Sequence, residues 1–195
     1  FRDSLVPGIT LKVDQSYQDG TVASGFLTSP VDIHETNLPV GTKVFFDRNG
    51  RVTHLILQED TVISKYNFKL KAGMKITLNH AGEIESGYLA EEMRGTGETP
   101  SGNVFNVNFK ADSLIKFIDL GKNKISGGVL AADTKVDGIT FKAGAWLEMY
   151  DSNDDFDRIK IGTLAKPANI NGKTYNEGTT IWLSPSGKVI KAETN

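Results

Sequence analysis

One register, repeated six times, organises the whole chain. Gly8, Gly41, Gly73, Asp112, Gly144 and Gly178 form an anchor column with successive spacings of 33, 32, 39, 32 and 34 residues. Three residues before each anchor stands a large apolar or aromatic side chain: Leu5, Leu38, Leu70, Phe109, Phe141, Tyr175. Three and five residues after it comes an apolar pair: Leu11/Val13, Val44/Phe46, Ile76/Leu78, Ile115/Phe117, Leu147/Met149, Ile181/Leu183. A turn follows, then a β-branched residue (Val22, Val52, Ile84, Ile125, Ile159, Val189). Five residues later the first five copies place a leucine: Leu27, Leu57, Leu89, Leu130, Leu164. Self-similarity at this period is the mark of a tandem repeat. The copies run approximately over 1–27, 28–57, 58–89, 90–130, 131–164 and 165–195.

Each copy reads as a β-hairpin. The apolar pairs alternate with polar residues, the period-two signature of a strand with one buried face. Asp47-Arg48-Asn49-Gly50, Asn79-His80-Ala81-Gly82 and Ser184-Pro185-Ser186-Gly187 share a layout suited to a type I turn closed by a glycine bulge. A second turn recurs at Val136-Asp137-Gly138 and Ile170-Asn171-Gly172. No segment sustains a 3.6-residue period, so helix is not expected. The predicted fold is all-β, a tandem repeat meander of stacked antiparallel β-hairpins in an extended or curled sheet, forming a single β-repeat domain over 1–195. A lone copy has too few core side chains to offset the entropy of ordering its backbone, which is why copies come in tandem. A transmembrane barrel fits poorly. The alternating stretches are short for a spanning strand, and the face opposite the core carries Lys12, Lys43, Lys75, Lys116 and Glu148.

Composition narrows the function classes. A net charge of -2 gives no electrostatic footprint for nucleic acid or an anionic membrane. The absence of cysteine removes disulfides, thiolate zinc sites and cysteine nucleophiles. No apolar run approaches the length of a membrane helix. The chain opens at Phe1-Arg2-Asp3, which reads as a processed or trimmed product. The histidines, His34, His54 and His80, are spread over separate copies without metal-type spacing. Asp154 and Asp155 are adjacent, a poor start for a two-carboxylate glycosidase. A non-enzymatic protein is expected.

Function in a repeat array is sought where copies depart from consensus. The stretch from Leu89 to Phe109 spans 20 positions, against 11 to 13 in the other copies. Its extra residues, within Ala90 to Gly102, read as a Gly-rich mobile loop, either a tolerated insertion or a binding element. The fifth copy's turn is long and acidic, and Asp151, Asn153, Asp155 and Asp157 offer oxygen ligands to Ca2+. Phe156 stands where a helix-flanked calcium loop needs glycine, so a solvated acidic turn is the other reading. Finally, Trp146, Tyr150 and Trp182 fall on the non-core face of neighbouring copies. Together they offer an aromatic patch to a glycan or protein partner, or a second packed layer.

The segments Ser126–Gly144 and Gly162–Gly178 resemble exported tandem-repeat proteins of bacteria, notably of spirochaetes. Those proteins carry a Gly-x-Leu-x-x-Asp-Thr stretch, an Ile-x-Gly turn, an apolar-x-x-Gly step and an Asn-Gly hairpin. More distantly the hairpins are similar to MORN-like repeats, from which this chain departs in its longer period. The resemblance implies export to the cell envelope or beyond, as a periplasmic protein or outer-membrane lipoprotein. It brings no catalytic residues. A non-enzymatic binding or structural envelope protein is the leading expectation, with a carbohydrate-binding or carbohydrate-active module as the alternative.

Overall fold

A computed structural model describes residues 9–33, 36–63, 67–119, 124–150 and 158–194. The chain divides into two compact units, Phe1–Glu91 and Glu92–Asn195. The division falls between the third and fourth copies of the repeat, so each unit holds three. Among the described residues every regular element is a strand, 22 in all, and no helix is long and apolar enough to cross a membrane.

In the first unit six strands follow one another in chain order as an antiparallel meander. They are β1 (Leu11–Ser16), β2 (Val22–Leu27), β5 (Lys43–Phe46), β6 (Val52–Ile56), β9 (Lys75–Leu78) and β10 (Ile84–Tyr88). Two-stranded hairpins interrupt it: β3 (Val31–Ile33) with β4 (Thr36–Leu38), and β7 (Thr61–Ile63) with β8 (Phe68–Leu70). The second unit repeats the plan. Its meander is β13 (Leu114–Asp119), β14 (Lys124–Val129), β17 (Trp146–Met149), β18 (Ile159–Thr163), β21 (Thr179–Leu183) and β22 (Val189–Thr194). Its hairpins are β11 (Met93–Glu98) with β12 (Val104–Phe109), β15 (Thr134–Val136) with β16 (Ile139–Phe141), and β19 (Ala168–Ile170) with β20 (Lys173–Tyr175). In neither unit does the last strand pair back to the first, so neither closes into a barrel.

The turns form as their residues dictate. Asp47 N donates to Arg51 O at 2.9 Å and Gly50 N to Asp47 O at 3.0 Å, with Gly50 at φ 79°. The same pair of bonds recurs at Asn79–Glu83 and Ser184–Lys188. The leading side chain caps the turn: Asp47 Oδ1 accepts from the N–H groups of Asn49 and Arg51. The short hairpins turn on Asp137-Gly138 and Asn171-Gly172, both residues of each pair at positive φ, the geometry whose twist matches flanking strands.

The anchor column has a backbone purpose. Gly41, Gly73, Gly144 and Gly178 sit at φ between 70° and 83° and donate their N–H to the carbonyl of the preceding copy's leucine, at 2.8–2.9 Å. Asp112 takes the same left-handed position at φ 58°, which aspartate tolerates better than most residues. The leucines themselves are at most 2% exposed.

The core lies between one sheet face and the hairpins. Phe46, Leu55, Ile76, Phe117, Ile125, Leu147, Met149 and Ile181 supply the sheet side, and Ile63, Phe68, Val107 and Phe141 the hairpin side. A glycine column lets the two layers meet. Leu70, Phe109 and Phe141 each pack onto a glycine of their own copy's second long strand, Gly87, Gly128 and Gly162. A Cβ at Gly128 would lie 2.6 Å from Phe109 Cδ1 and 2.8 Å from Ile115 Cδ1, inside van der Waals contact.

The stretch from Ala90 to Gly102, expected to be a mobile loop, is instead the tallest hairpin. β11 and β12 pair over six positions, from Met93↔Phe109 to Glu98↔Val104, where the other hairpins pair over three. Gly95 serves packing rather than flexibility: a Cβ there would lie 2.8 Å from Ile125 Cδ1 on the sheet below. Its tip, Thr99-Pro100-Ser101-Gly102, repeats the turn of Ser184-Pro185-Ser186-Gly187, with Gly102 at φ 85° and Thr99 N bonded to Asn103 O.

Substituting Gly162→Ala should cost about 1–3 kcal/mol through overpacking against Phe141. Phe141→Leu should relieve part of that cost, so the double variant unfolds later in urea than the two single effects summed. Strict additivity would show that Phe141 does not fill the space over Gly162.

Candidate functional site

The sheet face opposite the core is half-exposed, and register sets its side chains in rows. In the first unit Lys12↔Phe26, Phe26↔Lys43, Lys43↔Ile56 and Ile56↔Lys75 are successive cross-strand partners. Lysine therefore alternates with an apolar residue across five strands. Alternate strands are about 10 Å apart, which sets the spacing of the lysines. Lys43 Nζ lies 5.3 Å from the centroid of the Phe26 ring, 5.1 Å from that of Phe45, and 2.7 Å from Asp14 Oδ2. The hydrogen bond from Lys43 is the largest influence on Asp14 and holds its carboxyl below the usual range. Lys12 and Lys75 are exposed.

The next row along the strands is Ser24, Phe45, His54, Thr77 and Ser86. His54 stacks on Phe45 with centroids 4.1 Å apart and rings 13° from parallel, and its Nδ1 is 3.0 Å from Thr53 Oγ1. Burial lowers its imidazole pKa first, and the nearby Lys75 charge adds to this. His80 is an exposed turn residue, and His34 lies outside the described residues.

In the second unit the corresponding row is Lys116, Gly127, Glu148, Ile161, Trp182 and Lys191. Trp146 and Trp182 are both half-buried on this face. They do not stack. Trp146 pairs with Val129 and so lies one register step and two strands from Trp182. Each indole is attended by a lysine, Lys116 at 5.9 Å from Trp146 and Lys191 at 4.5 Å from Trp182. The Trp146 ring also rests on Gly127, where a Cβ would come within 2.9 Å of it. Tyr150 serves as a clamp: its hydroxyl donates to Leu183 O at 2.6 Å, bridging to the next copy. Tyr17 does the same in the first unit, donating to Phe46 O at 2.7 Å. The acidic turn residues Asp151, Asn153, Asp155 and Asp157 lie outside the described residues, among which no group of three or more His, Asp or Glu side chains could hold a metal ion.

On the hairpin side of the second unit lies a cleft of about 300 Å³. Three hairpins and the last turn enclose it, each from a different part of the chain. Phe105, Val136, Phe141, Ile159, Ile170 and Leu183 form its apolar floor, none more than 7% exposed. Glu98, Ser101, Asp137 and Asn171 are among the polar residues at its mouth. The tall hairpin forms one wall. Ser101 Oγ donates to Asp137 Oδ2 at 3.2 Å, and Pro100 packs against Gly187 closely enough that a Cβ there would lie 3.2 Å from its ring. Sequence reasoning flagged the segment but not the cleft. The match between Thr99-Pro100-Ser101-Gly102 and the recognised Ser-Pro-Ser-Gly turn was the available signal for a hairpin.

No protein-family profile, curated protein or solved structure matches this chain.

His54 makes stability depend on pH in a defined window. Its folded pKa is depressed, so as pH falls the unfolded chain takes up the proton first. The contribution is intact above about pH 6.5, the ordinary imidazole value, and is lost as pH falls through the folded pKa. Urea midpoints at pH 7.5 and pH 5 should therefore differ by less in His54→Gln than in the parent chain. An unchanged difference would remove His54 as the cause.

Proposed function

We propose that the chain is a non-enzymatic, exported binding protein of the bacterial cell envelope, and that the open sheet face is its binding surface. One observation carries this reading: the first unit's row of Lys12, Phe26, Lys43, Ile56 and Lys75. Three lysines, of which Lys43 is paired with Asp14, favour an anionic partner. Apolar side chains between them suit the carbon faces of sugar rings, and the regular spacing suits an extended polymer. The partner that fits this chemistry is an acidic polysaccharide. Trp146 and Trp182 extend the same reading to the second unit, where each half-exposed indole sits with a lysine. Export rests on the resemblance of the copies to exported repeat proteins.

Affinity electrophoresis through polygalacturonate should retard the protein, with retardation falling as salt rises. Lys12→Gln with Lys75→Gln should abolish most of it, and neutral dextran should have no effect. Equal mobility with and without polygalacturonate, or retardation unchanged in the double variant, would overturn the reading.

A further inference from the structure

The cleft in the second unit lies on the hairpin side of its sheet, away from the open face, and its chemistry is different. Its floor is made of side chains that are buried but not sealed: Phe105, Val136, Ile159 and Ile170 are each 7% exposed and Leu183 is 6% exposed. These residues turn a small fraction of their apolar surface toward the cavity. At about 300 Å³ the space is at the lower end of what small-ligand sites offer.

The mouth has one sign of charge. Glu98 and Asp137 both line the cleft, and neither lysine nor arginine does. Arg158, next in sequence to the lining residue Ile159, donates from Nη1 to Pro185 O at 2.9 Å. Among the described residues the Asp137 carboxylate accepts from the hydroxyl of Ser101, and the Glu98 carboxylate has no hydrogen-bond or ion-pair partner. Neither carboxylate is neutralised by a cation of the lining. The side chains of Asn169 and Asn171 add amide oxygens able to accept further N–H donors. The arrangement is also held in place from two sides. The Asp137 carboxylate is tied to the tip of the tall hairpin, and Pro100 seats that tip against the turn at Gly187.

We propose that this cleft binds a small organic cation, an ammonium group carried on an apolar body. The body fills the floor between Phe105 and Leu183, and the ammonium sits at the mouth between Glu98 and Asp137. The partial neutralisation of two carboxylates at the mouth supplies charge complementarity that a neutral or anionic analogue lacks.

Isothermal titration of the full chain with three ligands sharing a phenethyl body tests this: phenethylamine, phenethyl alcohol and 3-phenylpropanoate. The amine should bind most tightly and the carboxylate least. Glu98→Gln combined with Asp137→Asn should weaken the amine by about tenfold and leave the alcohol unchanged. Asparagine is chosen at 137 because the position has φ 46°, which it accepts, so the hairpin turn is kept. Amide shifts induced by the amine should centre on Phe105, Ile159 and Leu183. Equal affinity for amine and alcohol, no binding of the amine, equal losses for both in the double variant, or shifts centred elsewhere would each overturn the proposal. None of these outcomes depends on the polysaccharide reading, whose residues lie on the open sheet face.

Discussion

Within each unit, the bond between a copy's leucine and the next copy's anchor glycine ties successive copies together. Leu27, Leu57, Leu130 and Leu164 bury their side chains while their carbonyls accept the N–H of Gly41, Gly73, Gly144 and Gly178. One residue thus fixes a core contact and the start of the following copy. That linkage needs a left-handed residue at the anchor, which is why these four anchors are glycine. A buried carbonyl left without its partner is costly, so the bond cannot be dropped without losing the side chain's place too. Register then follows along the meander, and with it the alternation that sends one set of side chains to the core and the other to the open face.

The two faces have different rules. The core face is bounded by hairpins and by the glycines beneath them. Its residues are interchangeable only within tight volumes, as the Phe109 and Phe141 rings over Gly128 and Gly162 show. The open face is half-exposed and, the Trp146 ring over Gly127 apart, less tightly packed, and its composition drifts from copy to copy. The first unit alternates lysine with Phe26 and Ile56, whereas the second introduces Glu148, Trp146 and Trp182. Some open-face aromatics are nonetheless structural. Tyr17 and Tyr150 end in hydrogen bonds to a neighbouring copy's carbonyl, so their hydroxyls are already used.

Much of the fold could be read from residues because it is local. Turn chemistry, alternation and the leucine spacing each operate over a few positions, and the strands fall where they place them. What escaped depends on long-range geometry. Gly95 and Gly97 read as signs of flexibility, because only the tertiary structure reveals Ile125 beneath Gly95. The Gly87, Gly128 and Gly162 column went unrecognised because its partners lie 17 to 21 residues upstream. Trp146, Tyr150 and Trp182 were placed on the correct face by alternation, but register separates the two indoles and hydrogen bonding occupies the tyrosine. The lysine row is visible only once strand partners are known. The cleft required three hairpins from different copies to meet.

The tall hairpin shows how such a chain can change without being rebuilt. From Leu89 to Phe109 there are nine more residues than from Leu130 to Phe141. Three additional cross-strand pairs account for six of them, and a five-residue turn in place of a two-residue one accounts for the rest. All of this growth occurs away from the meander, whose strands keep their chain-order antiparallel pairing. The sheet is a comb, and its teeth lengthen in steps of two residues while the spine stays as it is. A tooth that outgrows its neighbours leans over them and encloses space, so a new cavity arises from the height of one hairpin rather than from any change in the core.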